Sequence, residues 1–176
     1  RTRHALRNVS VLNILIKTEL IKKHDILFNE KFLYYADAPF VVQLLNYATS
    51  FARVDDAVFV KRKHNDPINA PALSQIKDPD NKFNEFIEAH NYCTMLVEPD
   101  SYIRYYLDAK MVSYYTKFFA KKIRRGKDDV WRDERFKMMS EVLKKIRPEL
   151  LNKSSRYSRK LIDAAINNDI ERRSEE

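Results

Sequence analysis

Apolar positions recur at helical spacing over most of this chain, and the pattern breaks down between residues 51 and 74. In Val9 to His24 (VSVLNILIKTELIKKH), Leu12, Leu15, Ile16 and Leu20 fall on one helical face. Lys17, Glu19, Lys22 and Lys23 are left for water, and Ser10 stands where a cap belongs. The short run Ile26-Leu27-Phe28 predicts a brief strand or an extended connector, and Asn29-Glu30-Lys31 a turn. Phe40 to Tyr47 (FVVQLLNY) is apolar enough to be a helix buried on more than one side.

Phe51 to Lys63 (FARVDDAVFVKRK) changes character. Two β-prone runs, Phe51 to Val54 and Ala57 to Val60, flank Asp55-Asp56 and predict a short hairpin or a pair of strand ends. Asn65 to Ser74 (NDPINAPALS), with its prolines and turn formers, is a loop. From Asp78-Pro79 onward the pattern is helical. Phe83, Phe86, Ile87, His90 and Cys93 form one stripe, and Ile103 to Phe118 a broad aromatic face capped by Asp100 or Ser101. Trp131 to Ile146 follows from Asp128-Asp129 and closes at Pro148, and a last helix runs from Ser158. The expected fold is mainly α with a small α/β portion, residues 1–73 forming one domain and 74–176 a helical one. A few short strands need a larger sheet to join, and the expectation is that it lies upstream of Arg1.

The carboxylate in Tyr34-Tyr35-Ala36-Asp37-Ala38-Pro39-Phe40 stands where an extended aromatic segment meets the apolar helix. Pro39 suits a first helical turn, since the N–H it lacks would have no partner there. Asp37 is then a natural N-cap. The same placement would hold a general base rigidly at the mouth of a cleft. The two roles are compatible.

Composition narrows the chemistry. Of 176 residues, 44% are hydrophobic and 33% charged, which suits a soluble globular chain. No apolar run is long enough to cross a bilayer. The start Arg1-Thr2-Arg3-His4 reads as an arbitrary cut, so a longer parent protein is expected. Cys93 is the sole cysteine, so no internal disulfide forms and a reducing compartment is the simplest home. The single glycine, Gly126, excludes phosphate-cradling glycine loops. His4, His24, His64 and His90 lack the spacing of a metal site. The net charge of +8 predicts anionic partners without choosing among nucleic acid, lipid and phosphate-bearing polymer.

The order of Leu12-Asn13-Ile14-Leu15-Ile16-Lys17, Leu20-Ile21, Ile26-Leu27-Phe28-Asn29, Tyr34 to Phe40 and Val58 to His64 resembles the second half of a GT-A glycosyltransferase domain of the inverting family 2. The flavour is that of bacterial enzymes of wall teichoic acid and surface polysaccharide synthesis, some of them fused to glycerophosphotransferase domains. The resemblance covers about the first third of the chain, and it implies the C-terminal part of such a domain followed by a helical bundle. It matches Asp37 to the family's catalytic base. Ile14 stands where that family usually has lysine and Ala36 where it usually has glutamate, which alters contacts to donor or acceptor but leaves the base.

The resemblance further implies a nucleotide-sugar donor and a polyanionic or lipid-linked glycan acceptor. Tyr35 would touch substrate, and Lys61, Arg62, Lys63 and His64 would meet the diphosphate. The family's divalent cation (Mg or Mn) is held by an Asp-x-Asp absent from this chain, with His64 the nearest candidate metal contact here. Alone, such a fragment is expected to be inactive. A cytoplasmic location is implied, peripheral at the inner face of the membrane. Two other classes stay open: a noncatalytic helical interaction or homo-oligomerisation module, and, ranked last, a basic nucleic-acid-binding protein, since no nucleic-acid-binding motif is present.

Overall fold

A computed structural model describes residues 10–52, 54, 56–60, 65–66, 68–121 and 128–167. Among them the fold is mainly helical, in two compact units, Arg1–Pro99 and Asp100–Glu176.

The first unit opens with a single 3-10 turn at Val11–Asn13, then α1 (Thr18–His24), α2 (Asp37–Tyr47), a 3-10 turn at Leu73–Gln75 and α3 (Pro79–Met95). The helix expected over Val9 to His24 is thus broken. Ile14 and Lys17 are extended, Ile14 and Ile16 are half-buried, and Leu15 between them is 100% exposed. That two-residue alternation belongs to an extended chain, and β-branched Ile14 and Ile16 suit it. Ser10 occupies the cap position of the 3-10 turn but makes no side-chain capping bond. Asp25 closes α1 at φ 48°, ψ 48°, a left-handed conformation that Asp tolerates better than most residues. The chain then turns inward, and Ile26, Phe40 and Leu44 form a core cluster with Val11, Ile16, Leu20 and Ile21 packed around it.

Ile26 to Phe28 is a connector, with Phe28 stacked on Phe40 at 4.2 Å. The expected turn follows, closed by the Asn29 side chain accepting from the Lys31 amide at 3.0 Å. α2 buries Pro39, Phe40, Val41, Val42 and Leu44, which spread around the helix as its composition demands. α3 packs against α2 within this first unit, its N-cap Asp78 accepting from the Asn81 amide.

No strand occurs among the described residues, so the expected α/β portion is not seen in them. Ala57 to Val60 takes no regular secondary structure and pairs with no neighbour as a ladder, and Val58 is 88% exposed. β-prone side chains make a strand only when a partner supplies the ladder. Arg53, Asp55 and residues 61–64 of the expected hairpin lie outside the described residues.

In the second unit, α4 (Tyr102–Tyr114) runs without a break into a π-helical turn, Tyr115–Phe119. α5 (Asp129–Leu143), the short α6 (Pro148–Asn152) and α7 (Arg156–Ile166) follow. Ser101 and Asp128 cap α4 and α5 through their side chains, as their positions before apolar runs predict. Pro148 opens α6 rather than merely ending the helix before it, because a first-turn proline loses no hydrogen bond. Met111, Met139, Leu143, Ile162 and Ala165 are fully sealed, and the Tyr115 hydroxyl donates to the Leu161 carbonyl at 3.1 Å. This unit has a core of its own.

Candidate functional site

The segment leading into α2 is built by α3. Residues 33–35 bend without a regular hydrogen-bond pattern, so their amides need partners from elsewhere. Glu85, in the middle of α3, supplies one. Its Oε1 accepts from the Tyr34 amide at 2.5 Å and from the Tyr35 amide at 2.7 Å. The Tyr34 hydroxyl donates to Asp78 Oδ2 at 2.8 Å, and the Lys82 ammonium lies 4.9 Å from the Tyr34 ring centre. The Tyr35 ring meets Phe86 edge-on at 5.3 Å. Residues 78, 82, 85 and 86 recur at helical spacing, so one face of α3 holds the whole segment.

The charges follow from these contacts. The hydrogen bond to Asp78 is the main influence holding the Tyr34 hydroxyl above its ordinary range, with the nearby Asp78 and Glu85 charges adding to it. Asp78 is held below the usual carboxylate range, first by the Asn81 side chain and then by Tyr34.

Asp37 is not the N-cap. The bond from the Ala38 amide to the Tyr35 carbonyl at 3.2 Å starts the turn early, and Ala36 is already in helical conformation. Ala36 takes the cap position without a side-chain bond, and Asp37 becomes the first helical residue. Its Oδ2 accepts from the Val11 amide at 3.3 Å, across 26 positions of sequence. Asp37 is half-buried, in a first helical turn where the helix dipole favours a negative charge. The carboxylate is therefore partly open, fixed at the head of a buried helix and tied to the start of the chain.

Of the other predicted site residues, Tyr35 shares this segment, half-buried against α3. Lys61, Arg62, Lys63 and His64 lie outside the described residues. Among the described residues no group of three His, Cys, Asp or Glu side chains could hold a metal ion. Those residues do not fit a divalent cation, and no step is assigned to one.

A second cluster of charge sits in the other unit. Asp108 is fully buried; its Oδ1 accepts from Arg104 Nε at 2.9 Å, and its Oδ2 faces Arg147 Nε at 4.0 Å. Burial is the largest influence and pushes the Asp108 carboxyl up, opposed by the hydrogen bond and charge of Arg104 and by the charge of Arg147. Arg104 also reaches the Lys145 carbonyl at 3.4 Å. The Arg147 and Lys153 cations lie 5.9 and 5.8 Å from the Tyr105 ring centre. Sequence reasoning passed over this group. Its signal was an Arg and an Asp four residues apart inside an otherwise apolar stripe with Leu107 and Met111.

Comparison with known proteins adds a partial match. The chain is 32% identical over 90 residues to a teichoic acid poly(glycerol phosphate) polymerase of Staphylococcus epidermidis. That match covers 47% of this chain and 12% of the polymerase. No family model matches, and no solved structure does. Among the described residues, no helix is long and apolar enough to cross a membrane.

Proposed function

We propose that this chain is the acceptor-side part of an inverting glycosyltransferase of the GT-A, family 2 kind. It would move a sugar from a nucleotide-sugar donor to a hydroxyl of a cell-surface polymer or lipid-linked acceptor. The observation that carries the reading is Asp37: a partly open carboxylate in the first turn of α2, bonded to the Val11 amide, on a segment held from behind by Glu85. The partial likeness to a teichoic acid polymerase supports a polymer acceptor. The enzyme would work on the cytoplasmic face of the membrane.

In this mechanism the acceptor oxygen forms its bond to the anomeric carbon as the bond from that carbon to the diphosphate breaks. The electron pair leaves with the nucleoside diphosphate, and the hydroxyl proton passes to Asp37. A positioned carboxylate of this kind contributes about 10²–10⁴-fold in rate, because the hydroxyl is otherwise a poor nucleophile near neutrality. Lys61, Arg62, Lys63 and His64 are proposed to offset the charge of the leaving diphosphate.

The test is transfer from a panel of radiolabelled uridine diphosphate sugars to poly(glycerol phosphate), measured in the intact protein, meaning the full-length enzyme to which this chain is proposed to belong, and its Asp37→Asn variant. Loss of at least about 10²-fold in kcat, with the donor KM within a few-fold, is expected. Transfer by Asp37→Asn at the wild-type rate overturns the assignment.

A noncatalytic docking or homo-oligomerisation module is the second reading. Its support is the consecutive run Val58, Phe59 and Val60 in the first unit, all exposed, side chains that an apolar partner would cover. Gel filtration at several protein concentrations separates self-association from a monomer.

A further inference from the structure

The backbone that leads into Asp37, residues 33–35, has no regular hydrogen-bond pattern of its own. Between the turn at residues 29–31 and the first turn of α2, the amides of Tyr34 and Tyr35 both go to one oxygen of Glu85, at 2.5 and 2.7 Å. A charged acceptor shared by consecutive amides is a strong, directional hold. It comes from a rigid element, since Phe83 and Ile87 on either side of Glu85 are buried. Glu85 is only half-buried, and it makes these bonds at distances a neutral acceptor would lengthen.

The direction in which α2 leaves the segment is set at Tyr35, whose carbonyl accepts from Ala38 at 3.2 Å and starts the turn that contains Asp37. Fixing the Tyr35 amide fixes the 34–35 peptide plane, and the carbonyl of the same residue starts the turn that contains Asp37. Other contacts of the same helix face act on side chains: Asp78 on the Tyr34 hydroxyl, Phe86 on the Tyr35 ring, and Glu88 on Lys31 at 2.8 Å. Glu85 holds main chain.

We propose that Glu85 is a positioning residue, its carboxylate orienting the 34–37 backbone so that Asp37 meets the acceptor hydroxyl. This rests on the reading of Asp37 as the base. Glu85 itself touches neither substrate nor reacting atoms. A displacement of about 1 Å in a reacting group is enough to cost about 10²-fold in rate, so a hold on two amides has kinetic weight.

The experiment compares Glu85→Ala, Glu85→Gln and Glu88→Ala in the intact protein, beside Asp37→Asn. Amide hydrogen exchange is read at Tyr34 and Tyr35, and transfer kinetics with the uridine diphosphate sugar panel and poly(glycerol phosphate). In Glu85→Ala the two amides should exchange about tenfold faster or more, and kcat should fall at least about tenfold with KM within about threefold. Glu85→Gln, which keeps an acceptor oxygen but no charge, should recover most of both losses. Glu88→Ala should change neither.

Should Glu85→Ala not fold, Glu85→Met, which keeps the length of the side chain but no acceptor oxygen, takes its place. Exchange at Tyr34 and Tyr35 faster than wild type together with a lowered kcat supports the proposal, and exchange at the wild-type rate overturns it. Faster exchange in either variant with kcat unchanged, while Asp37→Asn is inactive, makes Glu85 purely structural and overturns the positioning role alone. An active Asp37→Asn removes the base reading and the proposal with it.

Discussion

Asp108 and Arg104 face one another one helical turn apart, the guanidinium Nε 2.9 Å from a carboxylate oxygen with no exposure to solvent. Removing one partner of such a pair leaves the other uncompensated, so Asp108→Ala should destabilise the protein by about 3 kcal/mol. The two states of Asp108 also give a pH signature. Its carboxyl is raised in the folded protein from an unfolded value of 3.8, so the native state binds the proton more readily. The stability contributed is fully present below 3.8 and is lost as pH rises through the folded value. Urea unfolding across the acid range should therefore show the wild type losing ground to Asp108→Asn as pH rises. A difference that stays flat with pH would contradict this.

At the other carboxylate of note, the sign is opposite. Asp78 is held low by Asn81 first and Tyr34 second, so its contribution is present above 3.8 and lost as pH falls through the folded value. Carboxyl-carbon NMR titration should find the Asp78 midpoint raised in Asn81→Ala, and raised by less in Tyr34→Phe. Tyr34 itself loses its share as pH rises through its raised folded value above 10.0.

Two residues of the second unit separate packing from hydrogen bonding. Tyr115→Phe keeps the ring and loses the bond to the Leu161 carbonyl, a cost of about 1 kcal/mol. Met139→Ala, at a position with no exposure, should cost about 2–5 kcal/mol through the cavity it leaves. Thermal or denaturant unfolding ranks the two, and an equal cost would mean that the site around Met139 collapses without penalty.

Leu15 and Ile26 form a similar contrast in the first unit. Leu15→Ser should change stability by no more than about 0.5 kcal/mol, since the side chain is already in water. Ile26→Ala removes a core side chain and should cost about 2–4 kcal/mol. Denaturant midpoints measure both.

Local signals carried much of the helical half. Asp78, Ser101 and Asp128 sit before apolar runs, and each caps its helix through its own side chain. What failed needed information from far along the chain. Leu15 fits a helical face on paper, yet it is Ile16 that packs against the core cluster while Leu15 faces water. Ala57 to Val60 has strand composition, but a strand is a property of a pair. At the site, the helix from Asp37 to Tyr47 was readable, while its cap falls on Ala36 and not on Asp37. The tie to Val11 and the hold by Glu85, about 50 positions away in sequence, were not, because no spacing rule relates them.

The π-helical turn at Tyr115–Phe119 has a consequence for the aromatic stripe of α4. There the Ala120 amide reaches the Tyr115 carbonyl, so the coil takes in one residue more than an ordinary turn. Side chains beyond it are rotated by roughly 100° from where uniform winding would set them. A one-residue deletion there would swing Ala120 and Lys121 to a new azimuth.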